Sequence, residues 1–120
     1  MIDQKITIIG GGNLGGSVAF GLMKSKQIQP SSLTVSDRYT SVLKKFQEQG
    51  ATVTNNNVEA VQTADIVILA IKPYQAQEII AEIRPFLNKN QILISAVAGL
   101  GLLKLEEAVS GSGIQTFRIM

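Results

Sequence analysis

Hydrophobic residues along this chain fall into two kinds of run that take turns. Short blocks rich in Ile, Val and Leu at Lys5 to Gly10, Leu33 to Ser36, Ala51 to Thr54, Ile66 to Ile71 and Gln91 to Ser95 predict β-strands. In Ile66 to Ile71 and in Ile92-Leu93-Ile94 successive residues are apolar, so both faces are buried. Such strands belong in a parallel sheet covered by helices on each side. Between the strands, apolar positions recur at three- and four-residue intervals and predict helices. Asn13 to Lys26 carries Leu14, Val18 and Leu22, and Thr40 to Gln49 carries Val42, Leu43 and Phe46 before stopping at Gly50. Tyr74 to Arg84 carries Ile79, Ile80 and Ile83, with Pro73 at its start and Pro85 near its end. Another helix follows the polar turn Asn55-Asn56-Asn57, and a sixth strand covers Gln115 to Met120. Alternating strand and helix, joined by right-handed crossovers, make an α/β fold with a doubly wound, mostly parallel sheet. Its ligand crevice lies at the carboxyl ends of the strands.

Composition narrows the chemistry. A chain of 120 residues, 45% hydrophobic and 17% charged, suits one compact globular domain, residues 1 to 120. The net charge of +2 is small and its Lys and Arg are scattered, so nothing builds a face for nucleic acid. With no Cys and no His, thiol nucleophiles, disulfides, Ser-His-Asp triads and the usual zinc or iron ligand sets are excluded, and no metal site is expected. Any catalysis must therefore borrow its reactive group from a cofactor. The amino terminus does not read as a secretory signal. The longest mostly apolar stretch, Ile92 to Leu103, is broken by Ser and Gly and falls short of the roughly 18 residues that span a bilayer. The expectation is a cytoplasmic protein without a membrane partner.

The strongest local signal is Gly10, Gly12 and Gly15, which fit G-x-G-x-x-G between the first strand and the first helix, the setting of a Rossmann-type dinucleotide fingerprint. Gly10 permits the tight turn, Gly12 lets the backbone approach a pyrophosphate, and Gly15 lets the helix lie close to the strand. Asn13 and Leu14 then offer free amides at the positive end of the helix dipole. The same cluster also fits a turn selected only for close helix packing, the role expected of Gly16 and Gly21. No Gly-Lys-Ser/Thr follows, which excludes a P-loop. Asp37 ends the second strand, roughly 20 residues after the loop, where an acidic residue commonly bonds the adenosine ribose of NAD. Arg38 comes next and, with Ser36 and Thr40, could instead hold the extra phosphate of NADP, so the cofactor is NADP or NAD. A turn Asp beside a solvated Arg is the plainer alternative.

With Asn57 to Val61, Ala64 to Pro73 and Ser95 to Gly99 added, the chain resembles pyrroline-5-carboxylate reductase over nearly its whole length. The telling parts are the aliphatic strand that ends in Lys72-Pro73, the Ser95-x-x-Ala98-Gly99 segment, and the closing Arg118-Ile119-Met120. The resemblance implies NAD(P)H-dependent reduction of the small-molecule substrate 1-pyrroline-5-carboxylate to L-proline, in proline biosynthesis. It also implies that the nucleotide touches Asn57, the Ala70, Lys72 and Pro73 corner, and Ser95, Ala96 and Ala98. Each of these has a plainer reading: Lys72 as a solvated lysine, Pro73 as a helix start, Asn57 as a helix cap, and Ser95 to Gly99 as small residues beside a passing backbone. Members of the family carry a further helical domain that binds substrate and makes the full-length enzyme a homo-oligomer. That domain is not expected within these 120 residues, so the polypeptide alone is expected to bind nucleotide with little reductase activity, and no catalytic residue is assigned. The competing readings are the nucleotide domain of a deazaflavin-dependent NADP reductase or of a hydroxyacid dehydrogenase relative, and a non-catalytic nucleotide-sensing module.

Overall fold

The computed structural model describes residues 2–119; Met1 and Met120, the latter closing both the predicted sixth strand and the family-like ending, lie outside the described residues. Six parallel strands form one sheet: β1 (Ile6–Ile9), β2 (Leu33–Ser36), β3 (Thr52–Thr54), β4 (Ile66–Leu69), β5 (Ile92–Ser95) and β6 (Gln115–Arg118). Their order is β3-β2-β1-β4-β5-β6, as expected of a doubly wound sheet. The helices are α1 (Asn13–Ser25), α2 (Thr40–Glu48), α3 (Asn57–Gln62), α4 (Pro73–Ile83) and α5 (Leu102–Ala108). Because β1 pairs with β2 on one side and β4 on the other, the crossovers leave in opposite directions and a crevice opens above β1.

The continuous apolar runs are explained by two cores. Ile6 and Ile8 of β1, Leu33 and Val35 of β2 and Ile68 of β4 point to one layer, which holds Ala19 of α1 and Leu43 and Phe46 of α2. Ile9, Val67, Leu69 and Leu93 point to the other, against Val61, Ile80, Ile83 and Leu105 from α3, α4 and α5. Removing each large side chain from water contributes about 1.5–3 kcal/mol, which is why central strands carry apolar residues on both faces.

Polar groups buried with these cores are satisfied. The Thr7 hydroxyl donates to the Ala60 carbonyl at 2.7 Å. Gln91 is 4% exposed and ties α3 to the loop before β5: its Nε2 donates to the Val61 and Ala64 carbonyls, both at 2.8 Å, and its Oε1 accepts the Asn88 N–H at 3.1 Å. Replacing Gln91 by Ala orphans those buried groups, so urea unfolding should show a loss of about 2 kcal/mol.

The expected elements form with shorter ends. β1 stops before Gly10, whose φ of +103° turns the chain out of the ladder, and β4 stops at Leu69, releasing Ala70, Ile71 and Lys72 into a loop. Asn56, not Asn57, caps α3, with its Oδ1 accepting the Glu59 N–H at 3.1 Å; Asn57 is the first helical residue. The helix α5 is not among the elements the sequence pattern predicts, because the mostly apolar run Ile92 to Leu103 conceals the change from strand to helix. Its signal is the spacing of buried Leu105 and Val109. Gly21 also departs from expectation: a Cβ there would meet nothing within 4 Å, so close packing does not account for it. Among the described residues no helix is long and apolar enough to cross a membrane.

Candidate functional site

The glycine turn leaves β1 in a conformation that only glycine adopts without strain. A Cβ on Gly10 would stand 2.4 Å from the Ala70 carbonyl oxygen, besides the strain of its positive φ. One on Gly15 would stand 1.8 Å from the Gly10 carbonyl oxygen, so the bare Gly15 lets α1 rest directly on the turn. Gly11 makes room underneath for Phe46 and Val42, each 3.0 Å from where its Cβ would be. Phe46 is wholly buried, stacks obliquely on Phe20 with ring centroids 5.0 Å apart, and supports the loop from below. Gly12 differs from all of these: it faces open space, with nothing within 4 Å.

Gly12 is also the N-cap of α1, which has no side-chain cap and no acidic residue in its first turn. The orphan amides and the positive end of the helix dipole are therefore left uncompensated by the protein, an arrangement suited to an anion. They open into a cleft of about 630 Å³ above the strand ends. Gly10, Gly12, Asn13 and Leu14 form one part of its wall, and Ser36, Asp37, Arg38 and Asn57 another. Ala70, Lys72, Pro73, Ala96 and Ala98 form a third. Thus the structure brings the sequence-predicted residues to one place, apart from Gly15 and Ser95.

Those two sit beneath the cleft. Gly15 is buried and acts through the close approach described above. Ser95 is 1% exposed at the end of β5, and its hydroxyl accepts the Val97 N–H at 3.3 Å, so its side chain shapes the turn that presents Ala96 and Ala98 rather than lining the cleft.

Hydrogen bonds knit the walls together. Asp37 Oδ2 accepts the Gly11 N–H at 2.9 Å, fastening the end of β2 to the glycine loop, and its Oδ1 accepts the Tyr39 N–H at 2.9 Å. The Ser36 hydroxyl donates to Asn57 Oδ1 at 2.5 Å, and Asn57 Nδ2 donates to Glu82 Oε1 at 2.9 Å. Asn57 therefore bridges β2 to α4 as part of the wall instead of capping α3. At the Lys72-Pro73 corner, the Lys72 N–H donates to Gln75 Oε1 at 3.1 Å and Pro73 occupies the first helical position, where its missing N–H costs nothing.

Sequence reasoning missed several lining residues: Tyr39, Tyr74, and the α4 face made by Gln75, Glu78, Ile79 and Glu82. The α4 residues fall at helical spacing on one side, a signal that the core-facing Ile80 and Ile83 obscure. Tyr39 and Tyr74 are 62% and 83% exposed and offer ring faces at the rim.

Residues 5–99 match the family model described as NADP oxidoreductase, coenzyme F420-dependent. A pyrroline-5-carboxylate reductase of Danio rerio is 34% identical over 116 residues, 97% of this chain and 40% of that protein. Among solved structures, a pyrroline-5-carboxylate reductase from Coxiella burnetii superposes with a TM-score of 0.92 at 29% identity, covering 99% of this chain and 44% of that one. The Plasmodium falciparum pyrroline carboxylate reductase with NADP bound gives a TM-score of 0.77 at 26% identity, over 92% of this chain and 40% of that one. The chain thus spans about two fifths of the length of these relatives. It belongs to the coenzyme F420-dependent NADP oxidoreductase family, and within it corresponds to the amino-terminal domain of pyrroline-5-carboxylate reductase.

Proposed function

We propose that the chain is the nicotinamide-dinucleotide-binding domain of a pyrroline-5-carboxylate reductase, serving hydride transfer to the cyclic imine 1-pyrroline-5-carboxylate to give L-proline. The observation that carries this reading is the uncapped amino end of α1 beside an unobstructed Gly12, opening into a cleft above the centre of the sheet. The NADP seen in the Plasmodium falciparum relative supports the same ligand class. The bound nicotinamide supplies the hydride, and the chain's residues bind and orient it. The amides of Asn13 and Leu14 receive the pyrophosphate, with Gly10, Gly12 and Gly15 keeping the backbone close. Ser36, Asp37, Arg38 and Asn57 hold the adenosine end. The Ala70, Lys72 and Pro73 corner and the Ala96 and Ala98 turn, supported by Ser95, flank the nicotinamide.

Substrate binding and dimer formation fall to a helical domain of the kind the resemblance implies. The 120 residues alone accordingly bind NAD(P)H and turn over little 1-pyrroline-5-carboxylate. The family description favours one second reading, in which the hydride partner is the deazaflavin coenzyme F420.

Titration of the chain with NADH and NADPH, followed by nicotinamide fluorescence, should give a dissociation constant on the order of micromolar for at least one of them. Binding of neither overturns the proposal. A chimera that joins this chain to the remaining part of the Coxiella burnetii relative should oxidise NAD(P)H only when 1-pyrroline-5-carboxylate is added. Oxidation only with coenzyme F420 would favour the second reading, and binding without turnover a sensing module.

A further inference from the structure

We infer that Asp37 sets the nucleotide preference of the cleft, selecting a dinucleotide with a free ribose 2′-hydroxyl, NAD(H), over its 2′-phosphorylated counterpart. The inference rests on the nucleotide-binding reading above and adds to it a choice that the residue types alone left open. An aspartate at the end of β2 excludes a phosphate only if it stays where it is. A carboxylate able to swing into solvent would leave room for a phosphate and for Arg38 to hold it.

This carboxylate cannot swing. Both its oxygens are engaged by main-chain donors, Gly11 on one side and Tyr39 on the other, each at 2.9 Å. Its own backbone is held as well, its N–H donating to the Thr54 carbonyl at 3.2 Å and its carbonyl accepting from Asn55 Nδ2 at 3.0 Å. Rotation of the side chain would free the Gly11 amide and loosen the glycine loop, so the loop and the carboxylate hold each other in place. An ionised carboxylate has about four acceptor positions, of which the two N–H groups use two. Asp37 lines the cleft, so the remaining capacity is available to a ligand there. An acceptor-only group complements the two hydroxyls of a ribose and repels a phosphate dianion.

The groups that would favour a phosphate are weakened by the same structure. Ser36 is 0% exposed and its hydroxyl proton is committed to Asn57 Oδ1, so it has no donor left for a ligand. Glu78 and Glu82 face the cleft from α4, adding negative charge to its lining. Lys72 stands across the cleft at the corner before α4, leaving exposed Arg38 as the cation beside Asp37. A single exposed arginine beside a fixed carboxylate offers little net attraction, because solvent screens it and ordering its long side chain costs entropy.

The test is a fluorescence titration of the full chain with NADH and with NADPH at low and at high salt. NADH should bind about ten-fold more tightly at low salt, a ratio set by charge repulsion across a partly solvated gap. The ratio should shrink as salt rises, which a purely steric exclusion would not do. Asp37→Asn removes the charge, while its single amide oxygen is still able to accept the Gly11 N–H and hold the loop, and should bring the two affinities together; Asp37→Ser should do the same by a different route. NADPH binding as tightly as NADH or more tightly in the unaltered chain overturns the inference while leaving the nucleotide site standing. An unchanged ratio in a folded Asp37 variant also overturns it. Binding of neither nucleotide overturns the site itself and this inference with it. Should both variants fail to fold, the ratio in the unaltered chain and its salt dependence decide the matter.

Discussion

Gly12→Val should abolish nucleotide binding and leave the protein folded. The two halves of this outcome come from one observation: a Cβ at Gly12 would meet no protein atom within 4 Å. A Cβ there stands in open space, which leaves room for a short side chain in the folded protein, and the extended backbone at Gly12, with φ −73° and ψ −153°, has the negative φ that side-chain-bearing residues adopt. The cost to folding should stay below about 1 kcal/mol, chiefly the loss of glycine at an N-cap. The same open space lies where a pyrophosphate must approach the amides of α1, so a branched side chain there keeps the ligand away from the donors and the dipole. An affinity loss of about 100-fold or more, equivalent to about 2.7 kcal/mol, is expected. Thermal unfolding followed by circular dichroism and titration with NADH measure the two parts. A folded variant that binds with unaltered affinity would remove the glycine loop from the site.

Gly15→Ala should fail in the opposite manner, by unfolding first. One added carbon at Gly15 would lie 1.8 Å from the Gly10 carbonyl oxygen and 3.3 Å from the Ala70 Cβ. The carbonyl belongs to backbone already fixed by the Gly10 N–H bond to the Ser36 carbonyl at 2.7 Å, so it has little freedom to retreat. Either α1 moves away from β1, losing its buried contacts, or the turn rearranges. Overpacking of this severity should cost about 3 kcal/mol or more, measurable as a fall in the urea midpoint at unchanged slope. Nucleotide binding should be lost together with stability. The pair of variants thus separates glycine required by a ligand from glycine required by the fold, although the two residues stand three positions apart in one motif.

That distinction agrees with the roles the motif implies, Gly12 for the approach of a pyrophosphate and Gly15 for helix packing, and the structure supplies the distances behind it. Other parts of the site were legible for physical reasons that act locally. The strands themselves, the Gly10 turn and the start of α1 follow from hydrophobic period and backbone freedom, both properties of neighbouring residues. The Lys72-Pro73 corner was also recoverable, because a proline at the first turn marks a helix start. What escaped were pairings across long separations. From sequence Asp37 is a ligand-facing group or a turn aspartate; the structure gives it the turn bond to the Tyr39 N–H and also fastens it to Gly11, 26 residues away. Asn57 was weighed as a cap or a ligand contact, and it is a bridge between Ser36 and Glu82, the latter 25 residues further along. Glu78 and Glu82 are not marked by the sequence, because the apolar stripe of α4 identifies only the side that faces the core. The helix α5 is hidden because mostly apolar loop residues join the end of β5 at Ser95 to its start at Leu102.

By itself the sequence determined the alternation of strand and helix, the doubly wound sheet, and the position of a glycine turn between the first strand and helix. Each depends on periodicity or backbone conformation, which are set by residues adjacent in the chain. Only the tertiary structure decided which polar side chains are free to meet a ligand and which are engaged in holding the cleft together. Whether a hydroxyl or carboxylate is available depends on the donors and acceptors that chain crossovers bring beside it, and those lie tens of residues away.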